Sequence, residues 1–506
     1  MMSALRTRGL DRVDQVRAQL RSPGGRRRVA SGLLVWLAVV AVAAVVGATV
    51  AGHAKIGLAV GGLVLVAGIF VADPILLCVI VLPASILVQR VGGASTNLSV
   101  ADLLVFVGGL VSLFHIRWKD ARFLKQFLWG IVWYQAVLVL VVVDHPNRYN
   151  VIEWFHRLSY VAGSVLVGWV VATNGRTRQA FRLFLAGSAV LAVIAMEHAV
   201  KMHFQPAQWS VYQKNTIGAI LWVAIVIAQI RPEWSGLGKT EARIEKYLCV
   251  GGLLASQSRQ SLILLFLALA IAVLLNPEVR RRSKMILAGA IPVIVALYYS
   301  FSYAARTDAK FNSVSIRFGQ IGAALHVFHL SPILGLGMRF YNLPQYVSVT
   351  APPNVFVDNL VSTGIVGSLA FLYLVYATLR TLFRLPASIG TLGLVILLAH
   401  YVGGLFDTFW IGAQTIAPFL VAGVCLGITD LARLRGDPVA GDPSAVDVVR
   451  DTIIGFPPAR APDRTRDKVG AARRMAASAT TRMAARTKHT KHTEWSAVAP
   501  ATLANG

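Results

Sequence analysis

The chain has 506 residues, is 56% hydrophobic and carries a formal net charge of +26, with a mean hydropathy of +0.63. A soluble globular protein needs a polar surface, so this composition excludes one. A basic chain often points to nucleic acid, but here Lys and Arg gather in alternate loops and at the two ends, as the positive-inside rule of membrane proteins requires.

In chain order, a basic arm (residues 1–28) precedes a series of about fourteen apolar runs. Their approximate limits are 29–51, 56–72, 74–88, 98–116, 127–143, 152–172, 183–200, 215–230, 246–256, 261–276, 285–303, 354–379, 390–404 and 413–431. Backbone groups in lipid have no water to bind, so runs of this kind predict transmembrane helices. The first run is too long for a signal-peptide core and lacks an A-x-A cleavage site, so it reads as a retained helix. The expected fold is all-α and polytopic, with about 12–14 transmembrane helices forming a domain over 29–431.

Charge orients the predicted bundle. Loops 117–125, 176–182, 231–246, 278–284 and 380–384 are rich in Lys or Arg, and the loops between them are poorer. One frame satisfies every basic loop: both termini cytoplasmic, with a long outer loop at 304–353 holding an amphipathic helix. Residues 432–506 form a basic, Pro/Ala/Arg-rich tail with few aromatics, a composition that predicts no packed core but permits contact with anionic head groups.

Cys78, Cys249 and Cys425 all lie in apolar runs without a C-x-x-C pair, which argues against a disulfide framework or a thiolate metal site. No P-loop, dinucleotide-binding glycine motif, H-E-x-x-H or 20–50-residue repeat is present.

Charges at or inside spans need a reason, and in this frame they collect at the outer end. They are Asp102, Glu153, His156, Arg157, Glu197, His198, Lys201, His203, Arg259, Arg306, Asp308, Arg317, His326, His329, Arg339, Asp358, His400 and Asp407. Single charges at span ends, such as Asp102 and Asp407, read as interface anchors. Arg259 differs, because its turn, SQSRQS, is too short to hold a solvated loop and pins a guanidinium between two helix ends, with Ser258 and its neighbours placed to bond freed backbone groups. A fixed guanidinium presents a fork of donors suited to phosphate oxygens. Arg317 opens the amphipathic segment of the outer loop, and His326 and His329, three apart, share one face of it. With no carboxylate at metal spacing, that pair predicts no zinc site.

Three stretches together resemble the O-antigen ligase and O-antigen polymerase family of bacterial envelope glycosyltransferases. SQSRQSLILLFLALAI resembles the family's short Ser-Arg turn, placing Arg259 on its arginine. SIRFGQIGAALHVFHLSPILGLGMRF resembles a segment that begins with a second arginine and ends in P-x-x-G-x-G, placing Arg317 there, with the spacing to Pro332 one residue longer than the family's. PPNVFVDNLVSTGIVG resembles a His-Asn pattern followed by G-x-x-G, matched by Asn354, Gly364 and Gly367. NLSVADLLVFVGGL is similar to an early span of the family. The likeness is concentrated over about 250–370.

The resemblance implies a metal-independent, cofactor-free, inverting transfer or polymerisation of glycan from a polyprenyl-diphosphate carrier to a glycan or lipid acceptor. It places the chain in the bacterial cytoplasmic membrane with its active face outward, partnered by membrane lipids and not by nucleic acid. Arg259 and Arg317 would hold the diphosphate, supported by Ser258, Asn354 and Arg339. The family's histidine, expected to take the acceptor's proton, is replaced here by Pro353. Three outcomes stay open: a substitute base (Asp358, one turn beyond Asn354, or His326 or His329 from the loop); a reaction in which diphosphate departure runs far ahead of attack; or a chain that binds lipid-linked glycan without transferring it. A transporter or flippase for lipid-linked sugar is the alternative from another class.

Overall fold

The structure is a computed structural model that describes residues 68–69, 71–88, 99–209, 212–276, 279, 313–346, 348–407, 410 and 412–448. The basic arm, the C-terminal tail beyond 448 and the predicted spans 29–51 and 285–303 lie outside the described residues, as does nearly all of 56–72. The described residues include thirteen α-helices with defined limits and no strand. They are α1 (Pro74–Ala84), α2 (Val100–His115), α3 (Arg122–Asp144), α4 (Arg148–Leu158), α5 (Ser164–Thr173), α6 (Thr177–Lys201) and α7 (Lys214–Ile230). They continue with α8 (Lys239–Ser256), α9 (Arg259–Leu275), α10 (Ser313–Phe328), α11 (Val355–Phe383), α12 (Ala387–Gly403) and α13 (Gly412–Arg435).

The protein is an all-α polytopic membrane protein. Five helical segments are long and apolar enough to cross a bilayer: α3, the α4–α5 unit, α6, α11 and residues Gln414–Arg435 of α13; α1, α2, α7, α9 and α12 are shorter apolar helices. Every predicted span from 74–88 onward that is described falls on one or more of these helices or on α8. Three boundaries change. The run 74–88 ends as helix at Ala84, and α8 begins at Lys239, seven residues before its apolar portion. The run 152–172 is two helices joined by a π turn, Ser159–Gly163. That wide turn places Gly163 against α2, where a side chain on Gly109 would come within 3.1 Å of the Gly163 Cα.

Packing follows the sequence pattern. Helix α3 buries Leu124, Phe127, Ile131, Tyr134, Leu138 and Val141, a 3–4 repeat that keeps one stripe toward the protein. Its other side exposes Trp129, Val132, Trp133 and Leu140, the surface expected of a helix facing lipid. By contrast α7 buries nearly all of Ile217–Ile230 and occupies the interior. Between α5 and α13 the backbones nearly touch, since a Cβ on Gly168 would collide with the Leu420 carbonyl and one on Gly423 with the Val165 carbonyl. Helices in lipid gain no hydrophobic advantage from contact with one another, so close backbone approach through small residues is how they hold together.

Helix α2 starts with a capping box: the Ser99 backbone N–H donates to Asp102 Oδ2 at 2.6 Å, and the Asp102 N–H donates to Ser99 Oγ at 3.2 Å. Asp102 is therefore a cap. Helix α11 is interrupted at Gly364 (φ 65, ψ −168), and the interruption positions much of the site.

Candidate functional site

The short turn anticipated around Arg259 is present. Helix α8 ends at Ser256, Gln257 adopts a left-handed conformation (φ 52), and α9 begins at Arg259. The serines satisfy the turn: Ser256 Oγ donates to the Leu253 carbonyl at 2.7 Å and accepts from the Ser258 N–H at 3.3 Å, while Ser258 and Ser261 hydroxyls bond each other at 2.9 Å. These hydroxyls sit over Gly218 of α7, where any Cβ would lie within 2.5 Å of Ser261 Oγ. The turn is thereby fixed against the first coil of α7.

That coil carries Lys214, just outside the predicted span 215–230. Burial, then the positive charges of Arg259 and Arg317, push its ammonium below the ordinary lysine range. Lys214 of α7 thus lies within electrostatic reach of Arg259 on α9 and Arg317 on α10. Arg317 donates to the Phe406 carbonyl and stands 3.7 Å from the Asp407 carboxylate. Asp407 accepts from Asn215 Nδ2 at 2.7 Å, and Ser258 Oγ donates to Asn215 Oδ1 at 3.4 Å. Asn354 caps α11 by accepting from the Phe356 and Val357 N–H groups at 2.9 and 3.1 Å, and its amide donates to the Leu405 carbonyl at 3.0 Å. Asn215, Ser258, Arg317, Asn354 and Asp407 thus belong to one constellation, with Lys214 next to Asn215 and Arg259 next to Ser258 in the chain, and Arg317 is the cation that stands beside the carboxylate.

The glycine motifs have a shared geometry. Residues 332–337 of the loop lie alongside the interruption in α11, and backbone pairs join them. Leu336 N–H donates to the Val361 carbonyl (2.9 Å), Gly337 to Ser362 (3.0 Å), Ile365 to Pro332 (2.9 Å) and Val366 to Ile333 (3.2 Å). The loop supplies partners for backbone groups that the broken helix cannot satisfy itself. All three family-like stretches now stand in one arrangement: the Ser-Arg turn, the arginine helix ending in the glycine turn, and the Asn-capped helix with its G-x-x-G.

Residues 247–372 match the O-antigen ligase family. The match spans α8, α9, α10, the loop and the first part of α11, which is the segment where the resemblance was read, and covers about a quarter of the chain. No curated protein matches the chain.

Part of the matched segment reaches a second, buried cluster formed with α3 and α4. Arg157, 3% exposed, donates to Glu153 Oε1 (3.1 Å), Tyr134 Oη (2.9 Å), Asn359 Oδ1 (2.8 Å) and Asp358 Oδ2 (3.1 Å). Arg339, in a left-handed conformation (φ 57), pairs with Glu153 Oε2 at 2.6 Å and meets His156 Nδ1 at 3.3 Å. Asn150 Oδ1 accepts the Met338 N–H at 2.9 Å. Burial pushes the Tyr341 phenol of this loop up, and the carboxylates of Asp358 and Glu153 add to it. Two guanidinia and two carboxylates offset each other here, and they fasten the loop to the helices.

The predicted site residues therefore separate. Ser258, Arg259, Arg317 and Asn354 come together; Arg339 and Asp358 belong to the buried cluster, Asp358 also accepting from Ser362 Oγ at 3.2 Å. His326 and His329 share a face as expected, with ring centroids 5.7 Å apart, and both are exposed. Lys214 and Asn215 were not anticipated, because a polar pair at the start of an apolar run carries no distinguishing pattern. Tyr134 and Asn359 were also missed. The pairing signal for Arg157 was in the sequence: Glu153, His156 and Arg157 stand three and four apart on one helical face.

Proposed function

We propose that the chain transfers or polymerises glycan from a polyprenyl-diphosphate carrier at the outer face of the cytoplasmic membrane, as part of cell-surface polysaccharide assembly. The observation that carries this reading is the placement of Arg259 and Arg317, both within the segment of O-antigen ligase type, near Lys214 of α7, which lies outside that segment. Three cations held close together repel, and the arrangement becomes favourable when an anion joins them. The three positive charges more than offset a diphosphate diester's two negative ones, and Asp407 stands beside Arg317.

In this reading Arg259 and Arg317 bind the diphosphate and Lys214 adds to the field. When the bond from the sugar's anomeric carbon to the phosphate oxygen breaks, negative charge builds on the departing diphosphate, and fixed guanidinia stabilise that charge more than the ground state. The serine-braced turn and the Asn354 cap hold the cations without reorganisation during the step. A transport reading would draw on the interrupted α11, since broken helices mark many transporters. Here the chain's own loop occupies the interruption, which favours a fixed site over a moving gate.

The test compares surface glycans and polyprenyl-diphosphate-linked intermediates in cells with the chain, without it, and with Arg259→Ala or Arg317→Ala. The expected result is loss of surface glycan and accumulation of lipid-linked intermediate at normal protein level. Unchanged glycan in both variants would overturn the reading.

A further inference from the structure

The turn that follows α12 is held more firmly than a surface turn needs to be. Gln260 Nε2 donates to the Gly403 carbonyl at 3.0 Å, the Val355 N–H to Gly404 at 2.7 Å, Asn354 Nδ2 to Leu405 at 3.0 Å, and Arg317 to Phe406. Four successive carbonyls are thus bonded by three helices, α9, α10 and α11, each of which contributes to the cation constellation. The next residue is Asp407. Its carboxylate accepts from Asn215 at 2.7 Å, lies 3.7 Å from Arg317, and is 21% exposed.

A carboxylate at this point works against anion binding, because it repels the diphosphate that the cations would hold. A site built for binding alone would be better without it. An acid positioned this firmly beside the leaving-group clamp has a second use, which is to take a proton. Asp358 is committed to Arg157 and Ser362 in the buried cluster, and the exposed His326 of α10 and His329, just past its end, face each other. We propose that Asp407 is the general base of the transfer, an inference that rests on the reading of the site given above.

The step balances without any further reactant. The acceptor hydroxyl oxygen forms a bond to the anomeric carbon as the bond from that carbon to the phosphate oxygen breaks. The electron pair leaves on the carrier diphosphate, held by Arg259 and Arg317. The hydroxyl proton passes to the Asp407 carboxylate and from there to solvent. A carboxylate is basic enough because the attacking oxygen becomes acidic as it bonds to an electron-poor anomeric carbon, the same reason a carboxylate serves inverting glycosidases.

The experiment uses the full-length protein in two measurements. Binding of undecaprenyl diphosphate is read as a thermal shift in detergent, and product as surface glycan in cells lacking their own copy. Asp407→Asn is expected to bind undecaprenyl diphosphate at least as well as the parent, having one negative charge fewer, while product falls about 100-fold or more. Asp407→Glu, which keeps the charge and moves it by about one methylene, is expected to bind normally and to retain more product than Asp407→Asn. Full product from Asp407→Asn overturns the proposal. So does loss of binding and product together, as in Arg317→Ala, since that would make Asp407 a brace for the arginine. If Asp407→Asn does not fold, Asp407→Glu decides alone: normal binding with about tenfold less product supports a base, and unchanged product overturns it. If Arg259→Ala and Arg317→Ala also leave product unchanged, the transferase reading itself has failed.

Discussion

Gly335 of the loop and Gly364 of α11 approach backbone to backbone: a Cβ on Gly335 would stand 2.5 Å from the Gly364 nitrogen, and one on Gly364 would collide with the Ile333 carbonyl. Both glycines also have positive φ, 76° and 65°. The two glycine motifs, separate in sequence, are the two sides of one contact.

Substituting Gly364 by Ala should therefore act through both causes. The φ/ψ pair of Gly364 lies in a region essentially restricted to glycine, worth about 1–3 kcal/mol, and the collision adds about 1–3 kcal/mol of overpacking. The expected outcome is a fall in thermal midpoint in detergent together with loss of the four backbone pairs between the loop and α11. Faster proteolysis within 332–337 would report that loss. Gly319, where an added Cβ would meet no neighbouring group within 4 Å, serves as the control, and its change to Ala should leave the midpoint unmoved or slightly raised, since Ala favours a helix over Gly.

Arg157 and Asp358 form a buried pair, and a buried charge left without its partner is costly. Asp358→Ala should destabilise the protein by about 3–5 kcal/mol. A double variant, Arg157→Met with Asp358→Leu, should be less destabilised than either single change, because no charge is then stranded. Glu153 keeps Arg339 as its partner in that variant. Denaturation in mild detergent with a double-mutant cycle measures the coupling. Additive losses would show that the pair contributes little.

The described helices were legible in the sequence because lipid imposes a single rule: an apolar run must satisfy its own backbone. What could not be read was where that rule is relaxed. The π turn at Ser159–Gly163 and the break at Gly364 both sit inside runs that are apolar throughout, and hydropathy does not report how a backbone bends within them. The site was half legible for a related reason. Arg259 and Arg317 were visible because their local patterns are unusual, whereas Lys214 at the mouth of an apolar helix and Asp407 at the end of another look like ordinary anchors. Their significance comes from partners on other helices: Lys214 lies within reach of Arg259 and Arg317, and Asp407 meets Asn215 and Arg317. Asp358 illustrates the converse, since its place one turn inside α11 suggested a base and its contacts make it the partner of Arg157.

Arg259→Ala and Arg317→Ala should each lower glycan product by about 100-fold to 1,000-fold, the range for removing one preorganised donor to a developing charge. Arg→Lys changes should recover only part of it, because an ammonium keeps the charge but not the planar fork. If Arg317→Lys restored full product, charge alone would explain the site. Quantifying surface glycan against protein level in the same cells separates these outcomes.

Lys214 gives the site a pH dependence on the alkaline side. Its ammonium is held below the usual lysine range, first by burial and then by Arg259 and Arg317. Its charge is therefore lost at a lower pH than that of an exposed lysine. Removing one cation of three weakens the hold on an anion, so affinity for undecaprenyl diphosphate should fall on the alkaline side, at a pH below the ordinary lysine range. The ligand's own phosphates are fully ionised there, which leaves the protein as the source of the change. Lys214→Arg, charged throughout, should abolish the fall, and Lys214→Gln should bind weakly at every pH with no alkaline limb. A limb that persists unchanged in Lys214→Gln would assign the titration to another group.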